Sequence, residues 1–416
     1  MNTRLFCALG LIVMAGCSAI AGTNPPMAGV GDACSQSADC QSGLCLAGSC
    51  TSWCMHDGDC PAPARCFAQQ GVPQMSCQAP LQVGAVLIGS ASDQEGWTSQ
   101  HWRDMQRAAK DLGYVKLDPR SNVDPGKPGA EIEALAANGA QLIIGNTVDF
   151  GRGFLQAALT HPKIGFLWSD DEVKSFGSQN ATTFWIRSHQ AWYLAGKVAA
   201  QGDRRRLGVI SAFINPQTTR EVNAFTLGAQ SVNPNIVVEV RYIGFWYDWE
   251  DRSYPYTEKN GMTRNYFREE WLALQMIDSG CEVIAHAGDT QRSVRLIEER
   301  RITKGSTALS LANDNPDGWR SSNGDGYKSS MGSIYENWYP LYRGIFDQVH
   351  RGVFNPFVPI NKDIDDTAES PTGVSLNPEG PGDQTLLARW RHELVKPGPD
   401  APNQRIFKGP IFTTGQ

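Results

Sequence analysis

At 416 residues the chain is long enough for two or three domains, and 41% hydrophobic residues with 12 tryptophans are ample for a packed core. A net charge of -6 without any basic stripe argues against nucleic acid as a partner. The one basic run, Arg204-Arg205-Arg206, reads as a solvated turn between a helix and a strand.

The chain opens with a targeting segment. Arg4 supplies the positive end, and Leu5 to Met14 form an apolar run too short to cross a bilayer. Met14-Ala15-Gly16-Cys17 then resembles a bacterial lipobox, which implies removal of residues 1–16 and a diacylglycerol on Cys17. An ordinary signal cut after Ala19-Ile20-Ala21 is the competing reading. Several acyl chains would hold the protein firmly on a membrane, since each buried CH₂ contributes about 0.8 kcal/mol.

A polar linker, residues 17–31, leads to a module at 32–78 with eight cysteines: Cys34, Cys40, Cys45, Cys50, Cys54, Cys60, Cys66 and Cys77. This segment is nearly empty of aliphatic residues and cannot fold on hydrophobicity alone. An even cysteine count behind a secretion signal predicts four disulfides, with the pairing left open. Zinc is the weaker alternative, because His56 stands alone and no Cys-x₂-Cys pair occurs. Cys281, far away at the start of an apolar run, reads as an inert core thiol.

From Val83 onward, short apolar runs alternate with helix-period stretches. Strands are expected at Val83–Gly89, Leu142–Gly145, Ile164–Trp168, Leu207–Ala212, Ile236–Ile243, Glu282–His286 and Thr307–Ala312. Helices are expected at Trp97–Leu112, Glu131–Asn138, Gly151–Leu159, Gln190–Gln201, Glu221–Ser231, Tyr266–Ser279, Thr290–Arg301 and Ser333–Arg351. Near-continuous apolar strands between helices mean parallel sheets covered on both faces. About seven units exceed one sheet, and a break after Arg187 divides them into lobe 1 (81–187, completed by about 314–350) and lobe 2 (188–313), with 352–416 as a C-terminal extension partly returning to the lobes.

Doubly wound sheets bind ligands beyond the carboxyl ends of their strands. The residues just after the strands are therefore the candidates: Asp93 and Trp97, Asn146 and Phe150, Trp246, Asp289, and Asp314, with Trp338 opening the last helix. The set is acidic and aromatic with no positive clamp. It suits a flat neutral or weakly basic ring stacked between indoles and hydrogen-bonded to carboxylates, and suits phosphate poorly. Residues 249–265 read as a surface loop, and Arg187 as a partner for a carboxylate at the hinge.

Six separated motifs carry a family resemblance. They are Gly96-Trp97-Thr98-Ser99-Gln100-His101; Trp185-Ile-Arg187 with Tyr193-Leu-Ala-Gly196; Asn223 to Pro234; Trp246-Tyr247-Asp248; Asp289; and Asn337-Trp338. Over about Val83 to Arg351 the chain resembles the BMP (basic membrane protein) family of substrate-binding lipoproteins of ABC transporters, PnrA-like members included. The resemblance implies a type I periplasmic-binding-protein fold: two doubly wound parallel-sheet α/β lobes on a hinge of three crossovers, with ligand in the cleft, here preceded by the disulfide-rich module. It implies a purine-like ligand, an ABC permease as partner and a place in the cell envelope, with no cofactor or metal. Asp314 falls where nucleoside-binding members hold ribose, but Glu336 stands where they carry a lysine, which tilts the expectation towards a free nucleobase. A sensor of the same fold handing its state to a signalling partner is an alternative. A nucleoside hydrolase is disfavoured, since no Gly-x-Ser-x-Gly or His-Glu-x-x-His motif occurs.

Overall fold

The structure, a computed structural model, describes residues 27–32, 34–46, 49–61, 64–68, 74–171, 176–248, 250–396 and 406–407. The signal segment, Cys17 and Trp249 lie outside them. The chain divides into two compact units at Ala79.

In the first unit the disulfides are Cys34–Cys45, Cys40–Cys50, Cys54–Cys66 and Cys60–Cys77. One interlocked pair of bridges is thus made twice. Each half opens on a 3₁₀ turn, Ser37–Asp39 and Asp57–Asp59. Asp39 accepts from the N–H groups of Ser35 (2.8 Å) and Gln36 (3.1 Å), and Asp59 from those of Met55 (2.8 Å) and His56 (3.1 Å). These bonds, Ser35's foremost, hold Asp39 down at about 2. The hairpins β1 (Cys45–Leu46) with β2 (Ser49–Cys50), and β3 (Arg65–Ala68) with β4 (Met75–Gln78), complete the halves. The bridges close loops of 10 to 17 residues, and loops of that size give roughly 3 kcal/mol each. Reduction is therefore expected to unfold this unit. A chain starting at Pro80 is expected to keep the melting temperature of the second unit, and a drop of several degrees in calorimetry would contradict its independence.

The second unit begins with β5 (Leu81–Val86), α1 (Gly96–Leu112), β6 (Val115–Arg120), α2 (Gly129–Ala137), β7 (Leu142–Gly145), α3 (Gly151–Thr160), β8 (Gly165–Ser169) and β9 (Ala181–Ile186). It continues with α4 (His189–Ala199), β10 (Arg206–Ser211), α5 (Pro216–Val232), β11 (Val237–Tyr242), β12 (Tyr254–Thr257), β13 (Thr263–Tyr266), α6 (Arg268–Asp278), β14 (Val283–Ala287), α7 (Arg292–Lys304) and β15 (Leu309–Ala312). Last come β16 (Ser330–Glu336), α8 (Tyr339–His350), β17 (Ile360–Lys362), β18 (Thr372–Leu376) and α9 (Gln384–Val395).

Two six-stranded sheets result, β17-β9-β8-β7-β5-β6 and β11-β10-β14-β15-β16-β18. All pairings are parallel except β16 with β18 at the edge of the second sheet. The central strands are buried along their length, as their aliphatic runs require. Lobe 1 packs Phe150, Phe154, Phe166 and Trp168 under its sheet. Lobe 2 has a core on each face, one built on α4 and α5, the other on α6 and α7. The chain passes between the lobes three times among the described residues: after β9, between β16 and α8, and between β17 and β18.

Several expectations are corrected. Residues 314–350 do not return to lobe 1 as a block: Ser330–Glu336 is a strand of the second sheet, and only α8 packs on lobe 1, against α1. The helix expected from Ser333 starts at Tyr339, because small residues (Ser330, Gly332, Ser333) let that strand lie buried between β15 and β18. The extension supplies β17 to one sheet and β18 to the other. The 249–265 loop holds an antiparallel hairpin, β12–β13, pinned by Glu258 to Arg300 (2.9 Å) and Lys304 (2.8 Å). Among the described residues no helix is long and apolar enough to cross a membrane.

Candidate functional site

The carboxyl ends of the strands of both sheets meet at the boundary of the lobes. Gly96, at φ +80°, brings α1 so close to lobe 2 that a Cβ there would lie 2.3 Å from the Asp289 carbonyl oxygen. Two ion pairs span the same boundary, Glu95–Arg295 at 2.7 Å and Asp171–Arg220 at 2.5 Å. The lobes are therefore closed. At the hinge, Arg187 grips Asp363 at 2.7 Å, as expected of it, and Gln190 donates to the same carboxylate at 2.6 Å.

Lobe 1 contributes an aromatic cluster. Trp97 lies on Trp185 (centroids 5.8 Å, planes 30° apart), edge-on to Trp338 (5.4 Å) and to His101 (4.4 Å). Its indole N–H donates to the Asn146 carbonyl. Trp97 is half-buried, whereas Trp338 is fully buried. Across the boundary, Trp246 stands edge-on to Phe213 at 5.0 Å, and its carbonyl accepts from the Asp289 N–H at 3.1 Å.

The acidic groups gather around Asp314, which Glu336, Asp289 and Glu221 all influence. Asp314 follows β15 with φ +60°, a left-handed conformation that Asp tolerates better than most residues. Its Oδ1 accepts from Asn313 Nδ2 at 2.7 Å. Glu221, one turn into α5, accepts from the Ser188 hydroxyl at 2.9 Å and from Gln217 at 3.2 Å. Glu336 ends β16. Burial and then Asp93 push Asp289 up to about 7. Burial raises Glu221 to about 7, against the hydrogen bonds it accepts. Burial and Glu221 raise Glu336 to about 8. Asp314 is driven well above the carboxylate range by burial, then by Glu336, Asp289 and Glu221.

The structure thus brings Asp93, Trp97, Trp246, Asp289 and Asp314 to the cleft. It withdraws Phe150 from the expected set: a 3₁₀ turn at Val148–Phe150 rolls the ring under the sheet onto Phe154. Asn146 is committed to holding its surroundings, with Oδ1 on the Ile88 N–H (2.9 Å) and Nδ2 on Thr98 (3.2 Å). It positions Trp97 and the end of β5. Trp338 backs Trp97 from the lobe 1 core, ringed by His101, Phe184 and Tyr342. Glu221, Ser188 and Phe213 are not among the candidates the sequence offers. Phe213 follows β10 and obeys the strand-end rule; Glu221 sits inside a helix, where no sequence rule points to a cleft. A groove of about 670 Å³ between α2 and α3 is lined by Lys127, Glu133, Asp149 and Arg152 and has no aromatic wall.

Residues 81–349 match the Bmp family model, described as ABC transporter substrate-binding protein PnrA-like. A purine-binding protein of Brucella abortus is 25% identical over 240 residues, 57% of this chain and 63% of its own. A putative ABC transporter glucose-binding protein of Haloferax volcanii is 25% identical over 216 residues, 51% of this chain and 50% of its own. The chain thus spans half to under two-thirds of these relatives' lengths. A solved ABC transporter solute-binding protein from Conexibacter woesei shares the fold, with a TM-score of 0.56 at 16% identity over 80% of this chain and 100% of its own. Two parallel-sheet lobes, three crossovers and a match over residues 81–349 leave one conclusion: the chain belongs to the Bmp family of PnrA-like ABC transporter substrate-binding proteins.

Proposed function

We propose that the protein is a lipid-anchored receptor of the cell envelope that captures a purine nucleobase or nucleoside, or a similar heterocycle, between its lobes and presents it to an ABC permease. The family is one of binding proteins rather than enzymes. The observation that carries the ligand reading is the cleft itself: indoles at its wall, carboxylates at its edge, and the two arginines that reach across it, Arg220 and Arg295, already paired. Such a site offers planar stacking and acceptors for ring N–H groups, and offers phosphate no cation. Ligand contacts are assigned to Trp97, Trp246, Asp93, Asp289 and Asp314. The relatives' names point both ways, one to purine and one to glucose; the aromatic wall favours the purine. Anchoring rests on Cys17 and its preceding small residues alone.

Calorimetry with adenine, adenosine and glucose tests this reading. Adenine or adenosine is expected to bind. Trp97→Ala and Trp246→Ala are each expected to weaken binding by roughly 1–3 kcal/mol, the worth of a base stacked on an aromatic ring. Because Trp97 also packs on Trp185, a melting curve must accompany that variant; Trp246→Ala has the smaller structural role. Binding of glucose alone, or unchanged affinity in both variants, would overturn the assignment. Cys17→Ser is expected to release the protein from membranes in fractionation.

A further inference from the structure

Seven of the buried acids in the second unit fall into two groups. Glu258 has Arg300 and Lys304 beside it, Glu298 has Arg301 at 2.7 Å, Asp248 has Arg252 at 3.3 Å, and Glu269 has Arg292 at 3.7 Å. Glu221, Asp314 and Glu336 are 4%, 5% and 3% exposed, and none has a cation within 4.0 Å among the described residues. An unpaired buried carboxylate is expensive, and three together are more so.

A second observation concerns the valences left over. Gln291 gives its Nε2 to the Asn313 carbonyl at 2.8 Å, and Asn313 gives its Nδ2 to Asp314. On these residues and the neighbouring Glu336, the buried atoms left without a partner are Gln291 Oε1, Asn313 Oδ1 and Glu336 Oε2. Gln291 Oε1 and Asn313 Oδ1 can only accept, and Glu336 accepts at both oxygens once its proton is displaced, so a ligand that brings donors completes the site. A compact metal ion does not fit. Among the described residues, the triads of candidate ligands whose donor atoms lie within 4.8 Å of one another consist of disulfide-bonded cysteines.

Resting on the cleft as the ligand site, we infer that the ligand carries a cationic nitrogen group directed at Glu336, Asp314 and Glu221: a heterocycle bearing a protonated amine or guanidine arm rather than a neutral base. The indoles take the ring, and the acid cluster takes the charge. The ammonium or guanidinium supplies the donors that Asn313 and Glu336 lack, and its charge offsets the mutual repulsion of the carboxylates.

Calorimetry on the full chain tests this with matched pairs: adenine carrying a 3-aminopropyl or a butyl arm, attached at N6 or at N9, together with agmatine as a purine-free cation. An aminopropyl compound is expected to bind at least tenfold tighter than its butyl counterpart. Glu336→Gln, which keeps the shape of the side chain, is expected to erase that ratio, and Asp314→Asn serves as the second variant, each checked by its melting curve. If adenine binds but the amine adds nothing at either position, the charge inference falls and the purine reading stands. If agmatine binds and no adenine compound does, the inference stands and the purine reading falls. A ratio that survives both variants overturns the assignment to this cluster, and absence of binding by every compound overturns both readings.

Discussion

Gly228→Val is expected to abolish folding of lobe 2 or to cost about 3 kcal/mol or more, measured by urea denaturation of the chain. Helices α4 and α5 touch through their backbones. A Cβ on Gly228 would lie 2.0 Å from the Tyr193 carbonyl oxygen, and one on Gly196 would lie 2.0 Å from that of Phe225. Each glycine is the slot for the other helix. A main-chain carbonyl cannot swing aside as a side chain can, so the helices must separate and the core around Trp192, Leu194 and Phe225 must open with them. Overpacking a tight core by a methylene already costs roughly 1–3 kcal/mol, and here the obstruction is backbone. Gly344 in α8 is the control: nothing lies within 4 Å of a Cβ there. Gly344→Ala is expected to stabilise by about 1 kcal/mol, because only helix propensity changes. Equal tolerance at both positions would show that α4 and α5 are farther apart than described.

The same contact explains why two family motifs were legible and what they mean. Tyr193-Leu-Ala-Gly196 and Asn223 to Pro234 are the surfaces of α4 and α5 that face each other, so the most recognisable stretch of sequence is a packing device rather than a ligand contact. The strand-end rule found Asp289, Asp314 and Trp246 because apolar runs followed by a polar or aromatic residue are visible in one dimension. It misplaced Phe150, since the turn at Val148–Phe150 decides which side of the sheet the ring enters. It also left Glu221 unseen. An acid one turn into a helix reads as a solvated face, and the crossover at Ser188, distant in sequence, is what brings a hydroxyl donor against it beside Gln217 of its own helix. The Asn215-Pro216 cap, with Asn215 accepting from the Thr218 N–H at 2.9 Å, starts α5 earlier than its apolar period suggests and sets Glu221 in the first turns. The helix expected from Ser333 takes in the second half of strand β16, because the strand's small residues carry no apolar alternation. Its burial comes from the neighbours on either side.

The unliganded body is expected to lose stability, on the order of several kcal/mol, between pH 6.5 and 8.5. Burial raises Glu221 and Asp289 to about 7 and Glu336 to about 8, with Asp314 well above its ordinary value. The folded protein therefore holds protons on these groups that the unfolded chain has released. Their stabilising contribution is complete below the unfolded carboxylate values and is lost as pH rises through the folded ones. The buried histidines act in the opposite sense. Burial lowers His286 to about 3 and His189 to about 4, and lowers His101 well below its usual value, so the unfolded chain binds more protons than the folded one below about 6.5, the ordinary histidine value. Below pH 6.5 the two effects compete; above it the carboxylates govern the slope. Asp93 and Tyr247 border the same cluster, and Arg220 opposes the rise of Glu221. Glu336→Gln removes one of the retained protons and one of the repelling charges. The variant is expected to match the parent near pH 6.5, to exceed it at 8.5, and to show a slope shallower by up to about 1.4 kcal/mol per pH unit. Urea melts followed by tryptophan fluorescence at pH 6.5, 7.5 and 8.5 measure both slopes. A level profile in the parent would mean that these carboxylates are hydrated in the free protein, and an unchanged slope in the variant would remove Glu336 from the cluster.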